Sequence, residues 1–198
     1  MSATILPDPG PYGTDAGPAQ HDAGGKSRLP MIDGVDGKAE FSECGRYRLW
    51  LSRDWSWQRH SDGRNQFALW IGMNPSVAEA EVDDPTIRRE MAFTRAAGLQ
   101  TYVKCNVMDY RATDPKALLS VTPRSDKNIE CIVGIASSLR CALIVAAWGA
   151  LPKPLRRYAD DVVAALRGKE LRCLGKTANG APRHPLYLPG TAQLEPWP

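Results

Sequence analysis

Between Phe67 and Leu174 the chain alternates short apolar runs with amphipathic stripes, and this alternation restricts its fold more than any other feature. The apolar runs are Phe67–Met73, Thr101–Met108, Cys141–Ala147 and Leu171–Leu174. They are short and largely continuous, as expected of strands buried on both faces. The stripes between them have helical spacing. The first has Asp84 as N-cap and Pro85 as first helical residue, then Ile87, Met91 and Thr94, and stops at Gly98. The second runs through Ile129, Ile132, Val133, Ala136 and Leu139, and the third through Leu155, Tyr158, Val162, Val163 and Leu166. Strands separated by helices imply right-handed crossovers. The expected fold is therefore α/β, a three-layer α/β/α sandwich around a four-stranded, mainly parallel sheet. Ahead of it, Tyr47, Leu49 and Leu51 alternate with Arg48, Trp50 and Ser52, the pattern of a half-buried edge strand, and Asp62-Gly63 marks a turn.

Residues 1–37 hold seven Gly and five Pro with little periodicity, so residues 1–38 are expected to be a loosely attached arm. Residues 39–188 form the folded domain, and 189–198 a tail without an assignable element. No run approaches the ~20 apolar residues of a membrane span, and no basic segment precedes an apolar run at the start, so a cytoplasmic location is expected. The Cys residues 44, 105, 131, 141 and 173 contain no Cys-x-x-Cys pair, and His occurs only at 21, 60 and 184. Neither a disulfide framework nor a metal site is expected. Cys105, Cys141 and Cys173 fall in strands and read as core. No organic cofactor is implied, and a monomer is expected. Six acids against three bases leave residues 1–40 at −3, so the rest carries +6 within a net +3. That surplus suits a polyanionic partner or ordinary solubility equally well.

In parallel sheets ligands sit beyond the carboxyl ends of the strands. The first strand is followed by Gly72-Met73-Asn74-Pro75-Ser76, and the second by Asn106 and then Asp109-Tyr110-Arg111. The third ends in Trp148-Gly149, and the fourth in Gly175-Lys176, with Arg183-His184-Pro185-Leu186 shortly after. Each alone reads as turn punctuation. Together they deliver Asn, Asp, Arg, Lys and His to one rim.

Gly72–Ser76 is similar to the Gly-Ile-Asn-Pro-Gly motif of mismatch-specific and thymine-DNA glycosylases. Asn106–Thr113 is similar to their Thr-Asn-x-Val-x-Arg-x-Thr segment, with Arg111 one residue later. His184-Pro185-Leu186 looks like their His-Pro-Ser, with Leu in place of Ser. On these motifs the chain resembles the uracil-DNA glycosylase superfamily. Over residues 41–188 it more closely resembles an uncharacterised bacterial and phage family. That family carries Asn-Pro-Ser-x-Ala, Asp-Asp-Pro-Thr-Ile-Arg, Trp-Gly and Arg-His-Pro-Leu-Tyr in this order.

The resemblance implies a hydrolase that flips a natural or modified base out of DNA and cleaves its N-glycosidic bond, in DNA repair, DNA modification or phage defence. Asn74, His184 and Asp83 would be catalytic. Gly72, Pro75, Ser76, Asn106, Asp109, Tyr110, Arg111, Trp148 and Gly149 would hold substrate, and Arg88, Arg89, Lys176 and Arg183 would contact phosphates. The chemistry suits these residue types. An oxocarbenium-like transition state needs only a well-placed water, which the Asn74 amide can hold. A neutral His184 can donate to a base carbonyl as negative charge builds there. Local alternatives stand beside each role: Asn74 as a turn lock, His184 as a loop residue bonded to backbone, Asp83 as a solvated neighbour of the Asp84 cap, and Asp109 paired with Arg111. Arg88 and Arg89 oppose the helix dipole, which a phosphate or Asp83 would offset. Trp50, Trp55 and Trp57 suit packing better than stacking. The competing functions are a non-catalytic nucleic-acid or nucleotide-binding module and another nucleotide-processing enzyme using Asp83 and Arg111.

Overall fold

The computed structural model of the chain describes residues 28–56, 66–76 and 78–198. Most of the expected arm, Trp57, His21, His60 and the Asp62-Gly63 turn lie outside the described residues. In chain order the strands are β1 (Leu29–Pro30), β2 (Asp36–Phe41), β3 (Arg48–Asp54), β4 (Phe67–Gly72), β5 (Val82–Asp83), β6 (Thr101–Asn106), β7 (Cys141–Ala146), β8 (Leu171–Cys173) and β9 (Glu195–Trp197). The helices are α1 (Pro85–Ala96), α2 (Asn128–Ala136) and α3 (Arg156–Ala165).

The fold is mixed α/β, and the sheet is larger than the expected four strands. It has seven, in the order β2-β3-β6-β4-β7-β8-β9. The four strands read from the apolar runs are adjacent: β4 pairs in parallel with β6 and β7, and β7 with β8. The other three pairings, β2 with β3, β3 with β6 and β8 with β9, are antiparallel. The expectation of a four-stranded, mainly parallel sheet is therefore corrected to a mixed sheet with antiparallel flanks. The flanking strands were hard to see because they carry charge. Arg48 and Arg53 sit within β3, and β2 reads Asp-Gly-Lys-Ala-Glu-Phe.

Period-two geometry sends alternate side chains of the buried strands to two cores. Phe67, Leu69 and Ile71 of β4 join Cys105, Ile144, Ile132 of α2 and Val162 of α3 on one face. Ala68 and Trp70 join Tyr102, Val145 and Ile87, Met91 and Phe93 of α1 on the other. Asp84 caps α1, its carboxylate accepting from the Ile87 N–H at 2.8 Å.

Folding also reaches beyond the expected domain limits. β1 pairs with β5, and Met31, Ile32 and Val35 pack against the α1-side core, so residues before Lys38 take part in the fold. The expected tail supplies β9, whose Trp197 ring meets Trp148 edge-on at 5.0 Å. Trp55 is buried beneath Arg95, and Trp50 donates to Glu40, so both tryptophans serve packing. No helix among the described residues is long and apolar enough to cross a membrane.

Candidate functional site

The carboxyl ends of the parallel strands open on a cavity of about 640 Å³, within the range that encloses small ligands. Asn74, Asn106, Trp148 and His184 all line it, one from the end of each parallel strand or the loop beyond it. The N-terminus of α1 closes it with Asp84 and Thr86, and the start of β3 contributes Arg48. A hollow of about 670 Å³ at the other end of β7 is lined mostly by aliphatic groups such as Leu99, Leu143 and Leu194, with Lys169, Glu170 and Arg172 beside them. Polar groups converge at the first cavity.

Its floor is built on a buried network. Lys104 lies in β6 on the α1 side, where its ammonium pairs with Glu90 at 2.5 Å. Glu90 also accepts from the Tyr102 hydroxyl at 2.5 Å. Burial pushes the Glu90 carboxyl up against the opposing pull of Lys104, and burial beside Glu90 pushes the Tyr102 phenol well up. Gly72 makes room for this arrangement. A Cβ there would stand 2.5 Å from the Lys104 ammonium and 3.0 Å from Asn106 Oδ1.

Asn106 is 0% exposed, yet neither its amide nitrogen nor its amide oxygen has a hydrogen-bond partner. Its carbonyl is held by the Asn128 amide at 3.0 Å, which fixes the strand end. Buried polar groups are nearly always paired, so an unpaired amide lining a cavity marks a place for a ligand or water.

Asn74 follows β4. Its Nδ2 donates to the Pro75 carbonyl at 2.8 Å and to the Ala112 carbonyl at 2.7 Å. Both amide hydrogens are thus used to lock the turn, and the group left to the cavity is the acceptor Oδ1. His184 precedes a short 3₁₀ turn, Pro185–Tyr187, and its Nδ1 accepts from the Leu186 N–H at 3.4 Å. That bond leaves the proton of a neutral ring on Nε2. Burial, helped by the Lys104 charge, lowers its pKa to about 4, so the ring is neutral near pH 7. Gly149 turns the chain at φ 72°, and a Cβ there would stand 3.5 Å from the His184 Cβ.

Of the remaining residues given a catalytic, substrate-binding or phosphate-binding role in the sequence, Ser76, Gly149 and Arg183 line the cavity, and the rest do not. Asp83 is 0% exposed and bound between Arg53 at 2.7 Å and Arg88 at 2.5 Å, so it anchors β5 rather than facing the cavity. The carboxylate that does line the cavity is its neighbour Asp84. Arg88 also donates to the Pro30 carbonyl, and Arg89 donates to the Leu188 carbonyl beneath the loop carrying His184. Asp109 and Arg111 do not pair. Asp109 accepts from the Ser125 N–H and hydroxyl, while Arg111 pairs with Glu79 at 2.6 Å and lies over the Phe41 ring. Tyr110 is buried edge-on against Tyr47, Pro75 is buried in the turn, and Lys176 sits 3.9 Å from Glu195. Among the described residues no group of three or more His, Cys, Asp or Glu could hold a metal ion.

The family described as Protein of unknown function (DUF1643) matches residues 46–186. The chain belongs to the DUF1643 family. The match takes in Arg48, Asn74, Asp84, Asn106, Trp148 and His184, while Tyr187 of the cavity lining lies just beyond it. No curated protein and no solved structure matches the chain.

Sequence reasoning missed Arg48, Asp84, Glu90 and Lys104 as parts of the site. A signal existed for two of them. Lys104 interrupts an apolar strand, and Glu90 falls on the apolar stripe of α1 between Ile87 and Met91. A charge at such a position is buried and therefore paired. Arg48 and Asp84 gave none, since they also satisfy ordinary edge-strand and N-cap patterns.

Proposed function

We propose that the cavity binds a nucleobase and hydrolyses its N-glycosidic bond, as the resemblance to DNA glycosylases implies. The observation that carries this reading is the fully buried, unpartnered Asn106 amide in the same cavity as a neutral His184. One donor and one acceptor on a rigid amide match the edge of a base. Trp148, 3% exposed, supplies an apolar wall.

In the reaction the C1′–N bond breaks and its electron pair leaves with the base, while a water oxygen forms the new bond to C1′. His184 Nε2–H donates to the departing base, where negative charge accumulates. Asn74 Oδ1 accepts one hydrogen of the water and aims its oxygen. Asp84 takes the proton that the water loses; its Oδ1 is tied to the Ile87 N–H, leaving the second oxygen for this task. Asp84 thus replaces Asp83 in the role first considered for an acid.

The substrate is better described as a nucleotide or a short flipped segment than as a long duplex. Two of the four basic residues expected on phosphates, Arg88 and Arg89, are used up inside the protein, whereas Arg183 is exposed at the cavity. A binding module without catalysis is favoured by one observation, the double use of the Asn74 amide as a turn lock. The test is incubation of the full chain with nucleosides, nucleotides and DNA carrying natural and modified bases, with mass detection of free base. Base release supports hydrolysis. Saturable binding without release from every substrate supports the module.

A further inference from the structure

We propose that Arg48 and Asn106 form an internal receptor for an oxyanion, filled by a nucleotide phosphate or by a negatively charged oxygen on the base edge. The phosphate case stands whether or not a bond is cleaved; the base case rests on the nucleobase reading above.

Arg48 begins β3, which runs antiparallel to β6 and so starts at the rim where β6 ends. Its backbone N–H is held by the Asp109 carbonyl at 2.9 Å. The side chain lines the cavity at 2% residue exposure. A guanidinium carries five N–H donors and a permanent charge. Here Nη1 donates to the Ala78 carbonyl at 2.7 Å, and Nε has no partner. Among the described residues no ion pair reaches it. Two other arginines buried to this degree do have carboxylates: Arg53 has Asp83, and Arg111 has Glu79. Asp84 in the same cavity acts on Arg48 electrostatically without forming an ion pair with it, and a buried charge lacking a contact partner is costly, so Arg48 can receive an oxyanion within a formed site.

Asn106 supplies the second unpartnered group. Its amide N–H donors can share the same oxygen, while its Oδ1 accepts from a neighbouring N–H or O–H of the ligand. The lining as a whole favours an anion. With Lys104 neutralised by Glu90, Arg48 and Arg183 stand against the single carboxylate of Asp84, which also serves as the α1 cap. Arg48 and Asn106 are held by backbone bonds at the starts and ends of strands, so the receptor needs no rearrangement before binding.

The test is calorimetric titration of the full chain with inorganic phosphate, nucleoside 5′-monophosphates and the matching uncharged nucleosides. It is repeated for Arg48→Met and Asn106→Asp. The second variant places a carboxylate in the cavity that Arg48 lines, at almost unchanged volume. Each variant should weaken binding of the anionic probe by about 10- to 100-fold, the loss expected for one charge-assisted hydrogen bond. Monophosphates binding at least tenfold tighter than nucleosides assign the oxyanion to phosphate. Nucleosides binding tighter as pH rises through the base's own ionisation assign it to the base. Should the variants not fold, the Arg48 Nε resonance of the wild-type protein is followed instead, and it must shift on addition of the anion. The proposal is overturned if no anionic probe binds, if Asn106→Asp binds as tightly as wild type, or if that resonance stays fixed. Base release persisting in such a case leaves the proposed hydrolysis intact. Phosphate capture through Arg48 without base release from any substrate defeats the hydrolysis and keeps the receptor.

Discussion

Replacing Lys104 with Met removes the counterion from a carboxylate that has almost no access to water. The pair is 2.5 Å apart, with side chains 5% and 0% exposed. Taking away one partner of such a buried pair costs about 3–5 kcal/mol, because the remaining charge is left uncompensated. Against a typical total stability of about 5–15 kcal/mol, the variant should still fold but melt about 6–20 °C lower. The loss should shrink at lower pH. Burial already raises the Glu90 carboxyl, and without Lys104 it rises further, so the folded state takes up a proton that the unfolded chain releases. Stability of Lys104→Met should therefore fall as pH rises above the normal carboxylate range. Adding Glu90→Gln to the variant should recover most of the loss, since an amide keeps an oxygen for the Tyr102 hydroxyl. Urea unfolding at pH 5 and pH 7 reads all three quantities. A single-variant loss below about 1 kcal/mol at pH 7, or a double variant no better than Lys104→Met, would refute the reasoning.

Gly72→Ala should push the Lys104 ammonium and the Asn106 amide out of register, at a cost of about 1–3 kcal/mol, and weaken ligand binding at the cavity, as seen by thermal denaturation and calorimetry. His184 adds a pH dependence of opposite sign to that of Glu90. Its pKa drops from 6.5 to about 4 on folding, so its contribution is complete above 6.5 and is lost as pH falls toward 4. In His184→Gln the melting temperature should vary less across that window, and an unchanged slope would contradict the neutral ring. Truncation after Leu188 removes β9 and the Trp197 ring from Trp148, so it should lower the melting temperature, whereas a removable tail would leave it unchanged.

The legible part of this fold was the part governed by one-dimensional periodicity. The four apolar runs and the Asp84-Pro85 helix start are local patterns with a single physical reading, and the loops after the runs meet at one cavity because parallel strands share a carboxyl rim. The edge strands were less legible. β3 buries Arg48 and Arg53 through partners about 30 residues away in sequence, at Ala78 and Asp83, and nothing in the local spelling marks an arginine as buried. The carboxylate lining the cavity is Asp84 rather than the neighbouring Asp83 for a related reason. Asp83 and Asp84 are identical in type, and only the three-dimensional path of β5 into α1 turns one toward Arg53 and the other toward the cavity.

The most direct test of the account is the single-turnover rate of base release by wild type, Asp84→Asn and Asp83→Asn on whichever substrate releases base. Asn is as good an N-cap as Asp, so Asp84→Asn keeps α1 while removing the proton acceptor. It should slow release by about 100- to 1,000-fold, the scale expected for loss of one preorganised polar group. Asp83→Asn, which disturbs only the Arg53 and Arg88 anchor, should lower the melting temperature and leave the rate within a few-fold of wild type. A larger rate loss from Asp83→Asn than from Asp84→Asn, or no base release by wild type from any nucleoside, nucleotide or DNA, would contradict the account.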